Sequence, residues 1–261
     1  NLNIDFAWIV NSEDGMDEIS PYAKTNIYQL KNNEIIQFAI DPKDLNIKAY
    51  VVGGYVRDAI LNNPLKDIDL VVENKSEKFA NLLSKKLGVN TVIKFDKFYT
   101  YRIPYEVTEI EIATARKETY KASSRKPNEV ISTSIKNDLS RRDFTINALA
   151  VSIMDTNFGD LYDPLNGMPD LNKGILITPK DPDKTFSDDP LRMLRAIRFV
   201  TTLHFNLDKD VLDSIIRQVD RIKIVSKERI TAEIIKILSA DKPSIGFYLL
   251  KETGLLKFVL P

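Results

Sequence analysis

The 261-residue sequence balances 37 Lys and Arg against 37 Asp and Glu and is 43% hydrophobic and 28% charged, an ordinary globular composition long enough for one large domain or two modest ones. It holds no cysteine and one histidine, His204, which excludes disulfide frameworks, thiolate nucleophiles, cysteine zinc sites and histidine triads and leaves any catalysis to carboxylates, arginines and bound metal. No apolar run reaches the roughly 18 residues of a membrane span and no signal-peptide pattern opens the chain, so a cytoplasmic protein with no membrane association and no obligate protein partner is expected.

Residues 1–47 carry short apolar patches broken by Pro21 and Pro42 and yield no readable element. Ala49–Val52 reads as a buried strand, Gly53-Gly54 as a turn and Tyr55–Leu61 as a short helix. Ile68–Val72 is a second strand, and Ser76–Leu87 an amphipathic helix with Ser76 as its N-cap and Gly88 as its stop. Val92–Phe95, Phe98–Ile103 and Val107–Ala113 read as further strands, the last with the alternation Glu109-Ile110-Glu111-Ile112. From Arg116 to Lys126 five cations (Arg116, Lys117, Lys121, Arg125, Lys126) stand against Glu118, a net of +4; taken alone this is the pattern of a solvated loop. Asp138–Val151 reads as helical. From Asp188 the period is helical throughout, predicting helices over Leu191–Thr202, Lys209–Val219, Lys227–Leu238 and Ser244–Leu255. The expected organisation is an uncertain segment over 1–47, a mixed α+β head over 48–183 and a helical neck over 184–261, with the boundary near Pro179–Ser187.

Three clusters carry chemistry. In Asp67-Ile68-Asp69, residues two apart on a strand share a face, so both carboxylates point one way while Ile68 and Leu70 enter the core. Two such charges repel unless a cation lies between them, and hard divalent cations prefer oxygen ligands of this kind. By itself the tripeptide also suits an exposed edge strand. Gly53-Gly54, ahead of a helix start, offers bare backbone amides to a phosphate, or a plain strand-to-helix turn. Asp189 and Arg192, three apart, pair an acceptor-only with a donor-only side chain, and Arg195 follows nearly one turn on; a charged helix start would have the same look.

Gly53-Gly54-Tyr55-Val56-Arg57-Asp58, then eight residues, then Asp67-Ile68-Asp69 resembles the head-domain signature of the polymerase β superfamily, in the branch of bacterial tRNA CCA-adding enzymes and bacterial poly(A) polymerases. Arg141-Arg142-Asp143-Phe144-Thr145-Ile146-Asn147-Ala148 resembles that branch's second motif, Asp163–Leu171 its third, Asp188–Arg195 its fourth and Ser226–Ile230 its fifth. All five stand in family order across about residues 48–260.

The resemblance implies a polymerase-β-like nucleotidyltransferase head followed by an all-helical neck, and addition of CMP and AMP to the tRNA 3′ end from CTP and ATP with Mg2+, releasing pyrophosphate. It assigns the metal to Asp67, Asp69 and a third carboxylate, Glu111, with Glu109 on the same face as runner-up. Gly53, Gly54, Arg57 and Arg195 would meet the triphosphate, Arg142 and Asp143 the ribose, and Asp189 and Arg192 the base. Lys117–Asn137 corresponds to a flexible loop that helps switch from CTP to ATP; its full length argues against a CC-only enzyme, and its basic run could touch RNA phosphates. Asp188 stands where relatives often carry Glu. The family continues past the equivalent of Pro261 into body and tail domains, which the resemblance does not extend to. Two other readings stand beside this one: an A-adding enzyme or poly(A) polymerase, and a non-catalytic RNA-binding protein on the same scaffold, which would have no need of Asp67, Asp69 and Arg192.

Overall fold

The computed structural model describes residues 47–65, 67–95, 99–106, 108–121, 124–154 and 157–260. The strand starts expected at Phe98 and Val107 lie outside the described residues, as do the side chains of 118–130 and with them most of the basic run. The chain divides into two compact units. The first comprises residues up to Arg116 together with Ser132–Asp138 and Asn147–Pro164; the second comprises Lys117–Ile131, Leu139–Ile146 and Leu165–Pro261.

In chain order the first half runs β1 (Ala49–Val52), α1 (Gly54–Ile60), β2 (Ile68–Val72), α2 (Ser76–Lys86), β3 (Ile93–Phe95), β4 (Thr100–Tyr105), β5 (Thr108–Thr114), β6 (Arg116–Lys121), β7 (Ser124–Ser132), α3 (Ile135–Leu139), β8 (Ala150–Ser152) and β9 (Leu161–Tyr162). The first unit is built on a seven-stranded sheet in the order β3-β4-β5-β2-β1-β8-β9, in which β2 and β5 pair parallel and the other pairs are antiparallel. Ile68, Leu70, Ile110 and Ile112 are buried at 2% exposure or less, so one sheet face is core. Helix α2 covers that face through Phe79, Ala80 and Leu83, and Thr114 Oγ1 donates to Ser76 Oγ at 2.7 Å across the contact. Ser76 is thus a buried first residue of α2, not its cap; Lys75, at φ 52°, makes the turn ahead of it, while Gly88 ends the helix at φ 68° as expected.

The helix expected over Asp138–Val151 does not form. α3 stops at Leu139, a 3-10 turn spans Thr145–Asn147, and β8 pairs with β1 from Tyr50↔Ser152 to Val52↔Ala150. Residues 148–152 are buried on every side, so the segment has no polar face to reveal its period, and pairing with a central strand decides its conformation. The segment expected as a flexible loop carries the ribbon β6–β7 and then α3. Its end is tied down inside the first unit: Thr133 N donates to Ala115 O, Ile135 N to the Glu73 carboxylate and Arg116 N to buried Asp138.

The second unit continues with α4 (Gly167–Lys173), β10 (Ile175–Leu176), α5 (Pro182–Asp188), α6 (Leu191–Leu203), β11 (Asn206–Leu207), α7 (Lys209–Gln218), a 3-10 stretch Val219–Ile224, α8 (Lys227–Leu238), α9 (Pro243–Glu252) and α10 (Leu256–Val259). The four predicted helices are α6 to α9. Residues 182–188, read as part of a boundary, form α5: the Asp181 side chain accepts from Lys184 N and Pro182 takes the first helical position, where its missing N–H costs nothing. Asp183 on α5 accepts from Ser214, Arg217 and Gln218 of α7, and the Ser214 and Arg217 bonds hold its carboxyl below the usual aspartate range. Leu194, Ile197, Ile215, Ile237 and Leu250 fill the helical core, where Phe144 meets Phe199 edge-on at 5.8 Å. His204 is exposed and closes α6 at φ 58°. Among the described residues no helix is long and apolar enough to cross a membrane.

Candidate active site

The sheet face turned away from α2 carries the carboxylates. Alternation along β2 buries Ile68 and Leu70 and leaves Asp69 exposed, with Asp67 exposed just before the strand. The parallel register sets Asp69 opposite Glu111 on β5, and the antiparallel register sets Arg102 of β4 on the other side of Glu111. Glu109, two residues earlier on β5, shares the face. Asp67 Oδ1 accepts from Glu109 N at 3.3 Å and Thr108 Oγ1 at 3.4 Å. Arg102 reaches Glu109 Oε2 through Nη1 and Glu111 Oε2 through Nη2, each at 3.4 Å. The donor set suits a hard divalent cation: oxygen only, several negative charges, exposed on one face. Among the described residues no three of these groups converge on one point, because Asp67 and Glu111 are turned to protein donors. The register distinguishes the two glutamates, since it is Glu111 that stands beside Asp69.

At the start of α1, Gly53 holds φ 73° and ψ −133°, a region closed to side-chain-bearing residues, and its N–H donates to Leu149 O at 3.0 Å. Its own amide is therefore taken, and what Gly53 supplies to the turn is the backbone direction it gives to Gly54. A side chain at Gly54 would lie 3.5 Å from the Arg57 guanidinium. Arg57 is buried at 8% exposure, with Nε and Nη2 on the Asp58 carboxylate at 2.8–2.9 Å and Nη1 on Asn147 Oδ1. That guanidinium braces the β1–α1 turn from inside.

The remaining predicted residues lie in the second unit. Arg195 Nε and Nη2 stand 2.7 and 2.6 Å from Asp143 Oδ2. Burial opposes the Arg195 charge, but Asp143, Glu233 and Asp189 together hold the guanidinium above its ordinary range. Asp143 Oδ1 accepts from Phe144 N, and Arg142 N donates to Leu139 O at 3.1 Å in the same turn. Asp189 ends α5 in extended conformation ahead of Pro190; its carboxylate accepts from Leu191 N at 3.2 Å and from Arg229 Nη2 at 3.0 Å. Arg192 Nη2 donates to Arg141 O at 2.7 Å. Asp189 and Arg192 are thus neighbours, each steadied by another partner. Sequence reasoning singled out neither Arg229 nor Arg102 nor Asn147. Asn147 and Arg229 stand inside the second and fifth motifs, the signal that could have found them; nothing local in the sequence marks Arg102.

Residues 49–177 match the family model described as the poly A polymerase head domain, and residues 204–261 match that of a probable RNA and SrmB-binding site of polymerase A. The chain belongs to the tRNA nucleotidyltransferase and poly(A) polymerase family. The first three motifs fall inside the head match and the fifth inside the second match. A CCA-adding enzyme of Geobacillus sp. (strain WCH70) is 36% identical over 213 residues, covering 81% of this chain and 50% of that protein. An A-adding tRNA nucleotidyltransferase of Aquifex aeolicus is 42% identical over 163 residues, 62% of this chain and 19% of that protein. The solved Thermotoga maritima CCA-adding enzyme complexed with tRNA superposes with TM-score 0.77 at 29% identity, over 90% of this chain and 54% of that chain. The chain spans about half the length of the curated relatives it matches. The fold is the polymerase-β-like nucleotidyltransferase head, with helices following it along the chain.

Proposed function

We propose that this chain is the catalytic part of a tRNA nucleotidyltransferase that adds CMP and AMP to the tRNA 3′ end from CTP and ATP, with the cytoplasm as its setting. The observation that carries the reading is the row of Asp69 and Glu111 in register on one exposed sheet face, with Asp67 beside them, in a chain of this family. Asp67, Asp69 and Glu111 would hold magnesium, which when bound supplies activation of the RNA 3′-hydroxyl and neutralises charge on the triphosphate. Gly53 and Gly54 direct the strand-to-helix turn toward phosphate, and Arg57 keeps that turn rigid through Asp58 and Asn147. Asp189 offers acceptors and Arg192 donors to the edge of adenine or cytosine; Arg229 and the Arg141 carbonyl keep the pair from collapsing onto each other. Arg142 and Asp143 serve the ribose, and Arg195, charged and fixed on Asp143, serves the triphosphate.

The A-adding alternative is favoured by one observation, the 42% identity to an A-adding relative over 163 residues. Single-nucleotide incorporation on tRNA ending in –N, –C or –CC separates the readings. CCA addition predicts CMP on the first two ends and AMP on the third; an A-adding enzyme extends only the –CC end, and a poly(A) polymerase runs past one AMP. Asp69→Ala should cut incorporation by more than the roughly 10–100-fold typical of losing a group that merely orients a metal ligand. Its unfolding midpoint should hold, because removing one of several like charges relieves repulsion in the metal-free protein. A folded Asp69→Ala variant with near-native incorporation would remove the carboxylates from the chemistry.

A further inference from the structure

We propose that Arg102 is a displaceable counter-ion of the carboxylate face, holding Glu111 in the metal-free protein and competing with the divalent cation for it, so that Arg102 sets how tightly the cation binds. The inference rests on the reading of Asp67, Asp69 and Glu111 as the metal ligands. The register lays Asp69, Glu111 and Arg102 side by side on β2, β5 and β4, so Glu111 has a carboxylate neighbour on one side and a guanidinium on the other. One side chain cannot serve both directions at once.

The contact has the character of an exchangeable clamp. Charged N–H···O bonds that lock a geometry close to about 2.7–2.9 Å, whereas both Arg102 contacts stand at 3.4 Å. All three side chains are at least a third exposed, a setting in which ion pairs are weak. The guanidinium carbon also sits 5.3 Å from the Phe95 ring centroid, which gives Arg102 a place to rest when a carboxylate leaves it. Compare Arg57 and Arg195, whose carboxylate contacts are 2.6–2.9 Å: those guanidinia are fastened, and Arg102 is not. Its charge acts in the same direction as its competition, since a cation two strands from Asp69 repels an incoming divalent cation.

The test uses the full 261-residue chain with Mn2+ as the probe, its free concentration read by electron paramagnetic resonance and its binding heat by calorimetry. Arg102→Gln removes both repulsion and competition and should tighten Mn2+ binding roughly three- to twentyfold, the range expected for a unit charge facing a divalent ion across about 10 Å at a largely aqueous effective dielectric of about 40–80. Arg102→Lys keeps the charge and should stay within about twofold of the parent. Unchanged binding in Arg102→Gln, or weaker binding, overturns the proposal; weaker binding would make Arg102 a support that orients Glu111. Equal tightening in both variants overturns it as well, because the charge would then be irrelevant. Asp69→Ala runs alongside. If it loses Mn2+ while Arg102→Gln is silent, only the role of Arg102 falls; if it retains Mn2+, the ligand assignment falls too.

Discussion

Arg57, Arg192 and Arg195, expected at the nucleotide from the resemblance of their motifs, make three different kinds of commitment in the structure. Arg57 is buried and held by Asp58 and Asn147, Arg195 is fixed on Asp143, and Arg192 spends one donor on the Arg141 carbonyl. A guanidinium has five donors in a planar fork, so a single bond from Nη2 can aim the group without exhausting it. Asp58 aside, the partners lie 51, 52 and 90 positions away, and no local pattern in the sequence encodes them. Removing the side chain separates aim from affinity. Arg192→Ala should lower the preference for ATP and CTP over GTP and UTP by about 1–3 kcal/mol, by analogy with base readout in DNA grooves. That is a fall of roughly 5- to 150-fold in the ratio of kcat/KM values. Steady-state kinetics with each of the four nucleotides reads it directly. If all four values drop together with selectivity intact, Arg192 binds nucleotide without reading the base.

At the scale of elements, the readable segments were the short apolar strands β1 and β2 and the helices of clear period. β1 and β2 have the bounds their sequences predict although they are almost wholly buried, and α6 to α9 follow their apolar spacing closely because their less buried positions recur at helical spacing. β8 was misread as helix because it is buried on both faces, and α5 was hidden in a Pro- and charge-rich stretch whose cap, Asp181, was not weighed. A glycine inside α9 carries information of another kind. A Cβ on Gly246 would lie 2.5 Å from Ile237 Cγ2 and 2.7 Å from Thr201 Oγ1, and both partners are fully buried. Thr201 cannot simply rotate away, since its hydroxyl donates to Ile197 O at 2.7 Å within α6. In an exposed helix, Gly→Ala gains about 1 kcal/mol of helix propensity. Here the overpacking cost, typically about 1–3 kcal/mol and at its upper end for contacts this short, exceeds that gain. Gly246→Ala should therefore lower stability by about 1–2 kcal/mol net and the unfolding midpoint by roughly 2–8 °C. A midpoint equal to or above the parent's would show that α9 can shift away from α6 and α8 at little cost.

Charge acts on the whole molecule. With 37 cations against 37 anions the chain has no net attraction for RNA, so sequence-independent affinity must come from wherever cations are concentrated. The densest concentration is the run from Arg116 to Lys126, five cations against one anion, carried on the β6–β7 ribbon. Each phosphate neutralised contributes about −0.7 to the slope of log K against log salt for single strands and about −0.9 for duplex. If the run supplies most of the contacts, the slope for tRNA binding by this chain should be no steeper than about −5. Replacing Arg125 and Lys126 together by alanine should flatten it by roughly 1.4–1.8. Binding of CTP, measured by calorimetry, should be untouched by the same double substitution, because none of the residues assigned to nucleotide lies in the run. Filter binding across a salt series supplies the slopes. A steep slope unaltered by the double substitution would mean that phosphates are held by cations spread over the rest of the chain, and tight binding indifferent to salt would mean that RNA is held by contacts other than charge.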